Sequence, residues 1–417
     1  MASKITDAQP ADAIDALLMR WNPELAHMNQ TAKDEGAAYP KRRFVHSKII
    51  QYLEGRIFIA LIGPRGVGKS VLLKQIHNSS QNSFYISLDS SGGLDLFNIA
   101  NELLERGVRL LLLDEIHAYP NYGQQLKKIY DFVPNMKIVF TSSSAISLWG
   151  SSYDLSRRVR LVRVAPFSFR EFLWFAHSQV FAPLRWKDIT NRSRCREYYG
   201  RTMHAETRFK RYLCGGNYPF SAGELEPIPL FRNTLETILT KDLFFSARLS
   251  LEEIQDVRRM LEFIGRSQSE GISYSSISQN SGISKYKVQK YVDLMEKSFV
   301  LRRVMPKGTN VTKEPKILFA LPYRLLYRQY DDCIGALRED FFVEAISSLG
   351  MGIDYLKGRM GEKTPDYVVD DFICEVGGHS KGFSQFKGFA AKKKIIFTQP
   401  GMLDEMRRPL FFAGMLE

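Results

Sequence analysis

Gly63-Pro64-Arg65-Gly66-Val67-Gly68-Lys69-Ser70 fits the phosphate-binding pattern G-x-x-x-x-G-K-[ST] without a mismatch. Its flanks fit as well. The apolar run Ile57-Phe58-Ile59-Ala60-Leu61-Ile62 reads as a buried strand entering the loop. Val71-Leu72-Leu73-Lys74-Gln75-Ile76 reads as the helix leaving it. Glycines let backbone N–H groups curl around phosphate oxygens without Cβ clashes. The helix N-terminus adds a dipole favourable to anions. In this pattern Lys69 reaches the β- and γ-phosphates and the Ser70 hydroxyl ligates Mg²⁺, while Pro64, Arg65, Val67 and Val71 complete the cradle.

Working outward, Leu110-Leu111-Leu112-Leu113-Asp114-Glu115 is an apolar strand ending in two acids. In P-loop NTPases such a strand supplies a Mg²⁺ ligand and a residue that polarises the attacking water. Asp114 is assigned to the metal and Glu115 to the base. A further strand, Lys137-Ile138-Val139-Phe140, runs into Thr141-Ser142-Ser143-Ser144. Thr141 and Ser142 stand where a polar strand tip can sense the γ-phosphate, although a Ser/Thr cluster also serves loops and caps. Asp154-Leu155-Ser156-Arg157-Arg158 precedes the strand pattern Val159 to Val164. Arg157 or Arg158 can act as an arginine finger in its own or a neighbouring subunit, or form a solvated basic edge.

The 417 residues exceed one ordinary core. Hydrophobic content of 44% and aromatic content of 12% support globular domains. No apolar run approaches the roughly 18 residues of a membrane span, so no membrane partner is expected. The start, Met1-Ala2-Ser3-Lys4-Ile5-Thr6-Asp7, lacks a signal-peptide core. Cys195, Cys214, Cys333 and Cys374 are scattered, which fits a reducing, cytoplasmic setting and argues against a zinc or disulfide framework. The net charge of +13 suggests an anionic partner, most simply nucleic acid, with DNA favoured. Arg185, Lys187, Arg192, Arg194, Arg196, Arg201, Arg208, Lys210 and Arg211 crowd one segment, with Tyr198, Tyr199 and Tyr212 among them. Such cations neutralise phosphates and such rings can stack on bases. A solvated helix face is the plain alternative.

Four regions are expected. Residues 1–40 form a leading helix, spaced on Ile14, Leu17, Leu18 and Trp21, and a connector. Residues 41–180 form a doubly wound parallel α/β sheet with helices on both faces. Residues 181–310 are helical and end in a winged helix-turn-helix over 272–304. There, Ser284 caps a helix from Lys285 to Lys297 that presents Lys285, Tyr286, Lys287, Gln289 and Lys290 as a recognition surface, or docks protein instead. In residues 311–417, Glu339 and Glu344 lie on a helix. Asp366 and Glu375 lie on neighbouring strands and can converge on a second divalent cation.

That last constellation resembles the PD-(D/E)XK nuclease core. The nuclease family carries a lysine two residues after the Glu, and here Gly377 stands in that place. Lys381 can substitute only by folding back, so weakened or absent cleavage is expected. As a whole, the chain resembles the bacterial and archaeal AAA-type ATPases with a C-terminal nuclease-like domain. The resemblance rests on Gly63–Ser70, Leu110–Glu115, Thr141–Ser144, Leu155–Arg158, Pro166–Phe172, Gly215–Pro219, the winged-helix segment, and Pro365-Asp366 with Glu375–Gly378. It implies a P-loop NTPase sheet, a winged helix, a restriction-endonuclease-like α/β end, and ATP with Mg²⁺ as ligands. Three activities compete: an ATPase coupled to nucleic acid, a slow nucleotide-gated switch acting on a protein partner or on self-association, and an ATP-regulated nuclease.

Overall fold

The computed structural model describes residues 22–89, 95–143, 155–267, 271–308, 314–356, 364–382, 386 and 393–417. The leading-helix spacing at Ile14 to Trp21, and the assignments at Ser144 and Asp154, lie outside the described residues. Two compact units divide at Val164/Ala165.

In the first unit, five parallel strands are β1 (Phe58–Ile62), β2 (Ser83–Ser87), β3 (Leu110–Asp114), β4 (Lys137–Ser142) and β5 (Val159–Arg163). Their order is β2-β3-β4-β1-β5. The apolar runs are buried on both faces, as a parallel sheet between helices requires. Helices α1 (Pro23–Ala38), α2 (Phe44–Tyr52), α3 (Lys69–Asn78), α4 (Leu96–Glu105) and α5 (Tyr122–Phe132) complete this unit's described helical framework. Asn22 caps α1 by accepting from Leu25 N at 3.1 Å. Helix α1 packs closely on α3, where a Cβ on Gly36 would overlap the Lys74 carbonyl. The order places β1 between β4 and β5, so the loops after β1, β3 and β4 share the carboxyl edge of the sheet, where ligands of open α/β sheets bind.

The second unit begins earlier than the boundary expected at 180. Phe167, Phe169, Phe172 and Leu173 belong to its core together with Phe341, Phe411 and Phe412. Helix α6 (Phe169–His177) starts at a capping box between Ser168 and Glu171, followed along the chain by α7 (Arg192–Thr202) and α8 (Leu251–Arg266). Helices α9 (Tyr274–Ser281) and α10 (Lys285–Lys297) are joined across Gly282, whose φ is +70°. A hairpin of β6 (Leu301–Pro306) and β7 (Lys316–Phe319) follows. The boundary expected at 310 does not separate two bodies. Strand β6 pairs in parallel with β8 (Ile353–Tyr355), so the hairpin is continuous with the sheet beyond it.

That sheet contains β9 (Tyr367–Val369), β10 (Phe372–Gly377), β11 (Lys393–Thr398) and β12 (Arg407–Pro409), in the order β12-β11-β10-β9-β8-β6-β7. Helix α11 (Tyr330–Ser348) packs against it. Buried Asp340 on α11 accepts from Phe319 N at 3.2 Å and pairs with buried Arg324. Removing one partner of such a pair would strand the other charge in the core.

Candidate functional site

The loop between β1 and α3 has the backbone its glycines permit. Gly66 and Gly68 hold φ of +80° and +87°, the left-handed region favourable to glycine. Gly63 has a different reason: a Cβ there would overlap the Val164 carbonyl, which backs the loop. Val67 is buried, and its carbonyl accepts from buried Arg43 at 2.8 Å. Lys69, also buried, donates to the carbonyls of Gly63 at 2.8 Å and Pro64 at 2.9 Å. The ammonium therefore lies across the loop it belongs to. Ser70 and Val71 occupy the first turn of α3. These features form a cradle with the donor set for phosphate oxygens.

Strand β3 brings Asp114 to the same sheet edge. Its Oδ2 accepts from the Tyr85 hydroxyl at 2.8 Å, and its Oδ1 from the Thr141 hydroxyl. Burial, with the Asp114 charge adding to it, raises the Tyr85 phenol well above its ordinary value, so Tyr85 stays a proton donor. Glu115 has φ +53°. Its N–H donates to Thr141 Oγ1 at 2.9 Å, and its carboxylate lies 3.2 Å from His117 Nδ1. Thr141 thus braces both acids, and its hydroxyl is turned to them rather than serving as a free γ-phosphate contact. Ser142 is level with Ile62, immediately before the loop. Ser143, one residue further, is buried with an unpartnered Oγ, a polar atom suited to a ligand or water at this edge. The donors around Lys69, Ser70 and Asp114 fit ATP with Mg²⁺.

The structure corrects the arginine-finger expectation within this chain. Phe58 N donates to Arg158 O at 2.9 Å, which fixes Arg158 at the amino edge of β1. The loop leaves the opposite edge, about 16 Å away by strand rise. The Arg158 guanidinium instead pairs with Asp131 of α5 at 3.0 Å, and Arg157 shares that edge. Sequence reasoning passed over Arg163, which is level with Ile62 at the phosphate-loop edge. It also missed Tyr85, a phenol within an apolar strand.

In the second unit Asp366 and Glu375 do meet. Asp366 N donates to Glu375 Oε2 at 3.3 Å, and Val376 N to Asp366 Oδ2 at 2.8 Å. Glu339 joins them through Tyr367, whose hydroxyl donates to it at 2.6 Å. Burial and the charges of Glu339 and Glu375 raise the Asp366 carboxyl. Lys381 folds back to pair with Glu375, and its stem fills the space a Cβ on Gly377 would take. The missing side chain at 377 is what admits the lysine. Lys316 pairs with Glu339. Among the described residues, no group of three or more His, Cys, Asp or Glu is arranged to hold a metal ion. Glu375 is held by Lys381 and the Asp366 N–H, and Asp366 Oδ2 by the Val376 N–H, so a second cation would bind here only by displacing these donors.

The tyrosines of the basic segment are not stacking platforms. Tyr198 and Tyr199 pack on Phe412, with ring centroids 5.5 Å and 6.2 Å away, and Tyr212 is buried and donates to Phe167 O. Apolar rings beneath a polar helix gain more by burial than by solvent exposure. Among the described residues no helix is long and apolar enough to cross a membrane.

Residues 56–173 match the family described as AAA domain. Residues 206–320 match a family described only as a domain of unknown function, DUF8612. The chain is 29% identical over 340 residues to the uncharacterized protein MJ1637 of Methanocaldococcus jannaschii, covering 72% of this chain and 71% of that protein. Among solved structures, it is similar to the Walker-type ATPase PABY2304 of Pyrococcus abyssi. That match has a TM-score of 0.39 at 17% identity, over 68% of this chain and 94% of the other. It is also similar to the RuvB Holliday junction branch migration motor of Thermotoga maritima, with a TM-score of 0.26 at 14% identity, over 66% and 89% of the two chains. The parallel sheet, its loop and the family match make the first unit an AAA-type P-loop domain, a fold that supports ATP hydrolysis.

Proposed function

We propose that the protein is a Mg²⁺-dependent ATPase whose turnover is coupled to nucleic acid, with DNA the favoured form. The observation that carries the ATPase reading is the buried Asp114, gripped through both oxygens beside the phosphate-loop edge. The loop amides and Lys69 hold the phosphates. Ser70 and Asp114 hold Mg²⁺, which when bound neutralises charge on the phosphate oxygens. Glu115, its backbone fixed by Thr141, orients the attacking water and takes its proton. Thr141 and Tyr85 keep Asp114 in place. The partner reading rests on the net charge of +13.

The test is steady-state ATP hydrolysis with and without single- and double-stranded DNA. Lys69→Ala should abolish turnover; unchanged turnover would overturn the mechanism. Stimulation by DNA supports coupling. DNA-indifferent, slow hydrolysis with nucleotide-dependent assembly would replace coupling with a switch acting on protein.

One observation favours a second reading, phosphodiester cleavage by the second unit: the return of Lys381 to Glu375 beside Asp366. Labelled DNA incubated with Mg²⁺ or Mn²⁺ decides it. Cutting that disappears in Lys381→Met supports this reading, and uncut DNA removes it.

A further inference from the structure

Helix α10, the recognition helix of the sequence reading, has its lysines committed. Lys285 pairs with Glu314, Lys287 with Asp256 at 3.5 Å, Lys290 with Glu253 at 2.9 Å, and Lys297 with Asp293 at 2.7 Å. The Asp256 side chain is only 8% exposed. Asp256 is shared between Lys287 and Arg259, so a phosphate backbone drawing Lys287 away would break one of its two pairs and set its own negative charge beside a buried carboxylate, which opposes binding.

The segment ending in α7 is built differently. Arg185, Lys187, Arg192 and Arg196 are exposed, with no carboxylate partner among the described residues. Arg192 and Arg196 are one helical turn apart and so share a face. The acids nearby are already paired, Asp188 with Arg194 and Glu197 with Arg201.

This basic segment is also held rigidly. Buried Arg408 donates to Ile189 O at 2.6 Å and Thr190 O at 3.4 Å, just before α7. Trp186 packs against Phe372 with ring centroids 5.2 Å apart. Leu184 N donates to Met415 O at 3.0 Å. Cations on a fixed platform lose less entropy on binding than cations on a free loop.

We propose that the surface formed by Arg185, Lys187, Arg192 and Arg196, and not helix α10, is the nucleic-acid face of this protein, and that it grips the phosphate backbone of duplex DNA without reading sequence. This rests on the nucleic-acid reading above and locates it. Tyr198 and Tyr199 face the core, so phosphate contacts supply the binding. Affinity is then indifferent to base order and falls steeply with salt.

The test is binding of the full chain to two fluorescent duplexes of unrelated sequence between 50 and 200 mM salt, with single-stranded DNA and RNA as further arms. Arg192→Gln/Arg196→Gln should weaken both duplexes by about tenfold or more and reduce the salt slope by about 2. Lys287→Gln/Lys290→Gln should change affinity less than about twofold. Loss of binding in the α10 variant with none in the α7 variant overturns the assignment and leaves the nucleic-acid reading standing. Wild type that binds no nucleic acid at 50 mM salt overturns both. Competition by poly-glutamate as strong as by DNA shows an acidic-protein face and overturns the proposal. Circular dichroism melts of both variants separate binding loss from misfolding.

Discussion

The Tyr85 hydroxyl donates to Asp114 Oδ2 at 2.8 Å from the strand on one side, while the Thr141 hydroxyl grips Oδ1 from the strand on the other. Strand β3 lies between β2 and β4, so the clamp is a direct product of the sheet order. With both oxygens of this buried side chain hydrogen-bonded, the clamp fixes the orientation in which Asp114 meets a cation at the sheet edge.

Tyr85→Phe should therefore weaken metal use before it weakens nucleotide binding. It deletes one hydrogen bond to a charged group, an interaction of about 1.5–3 kcal/mol. The Mg²⁺ concentration giving half-maximal ATP hydrolysis should rise about tenfold, with metal-free ATP binding nearly unchanged. An unchanged Mg²⁺ titration would show that Tyr85 only fills space.

Glu115 has a left-handed backbone conformation, φ +53°, which only its surroundings sustain in a non-glycine residue. Its N–H is fixed on Thr141 and its carboxylate lies against His117. Glu115→Gln keeps the shape and removes the base. ATP binding should stay within about threefold while single-turnover hydrolysis falls about 10² to 10⁴-fold. Hydrolysis at the wild-type rate would assign the proton to another group.

The contact of α1 with α3 makes a stability prediction. Gly36→Ala would push a methyl group into the Lys74 carbonyl, whereas a Cβ on Gly200, within α7, meets nothing within 4 Å. Gly36→Ala should lower unfolding free energy by about 1–3 kcal/mol. Gly200→Ala should raise it by about 0.5–1 kcal/mol through helix propensity and a less flexible unfolded chain. Urea unfolding followed by far-UV circular dichroism measures both. Equal midpoints for the two variants would mean that α1 does not pack on α3 as described.

Much of the first unit was legible because its signals are local. A phosphate loop needs glycine at fixed offsets, and an apolar run ending in Asp-Glu announces a buried strand with an acidic tip. Tyr85 was not legible, because a phenol in a buried strand looks the same in sequence whether it fills space or clamps an acid three-dimensionally adjacent. Arg158 was misplaced for the opposite reason: sequence shows that it precedes β5 but not which sheet edge that start faces. Lys381 required knowing that Gly377 leaves a side-chain-sized gap, a tertiary fact. Tyr198 and Tyr199 look like base-stacking rings beside arginines until Phe411 and Phe412, distant in sequence, are seen beneath them.

His77, on α3, ties folding of this unit to pH. It is buried, with Nε2 donating to Asn29 O at 3.1 Å and Nδ1 facing Ser83 Oγ at 2.7 Å. A carbonyl can only accept, so the neutral Nε2–H form fits this pocket. Burial lowers the imidazole to about 4, the Asn29 carbonyl opposing and the Lys33 charge assisting. Unfolded, the ring returns to about 6.5. The unfolded chain thus binds the proton more readily, and the stability His77 contributes above about pH 6.5 is lost as pH falls toward 4. Between pH 7.5 and 5 the loss from this group is roughly 2 kcal/mol. Urea titrations at the two pH values should show that drop in the wild type and a smaller one in His77→Gln. An equal drop in both proteins would place the acid sensitivity elsewhere, with buried His46, also lowered by burial and by Arg42, the next group to replace.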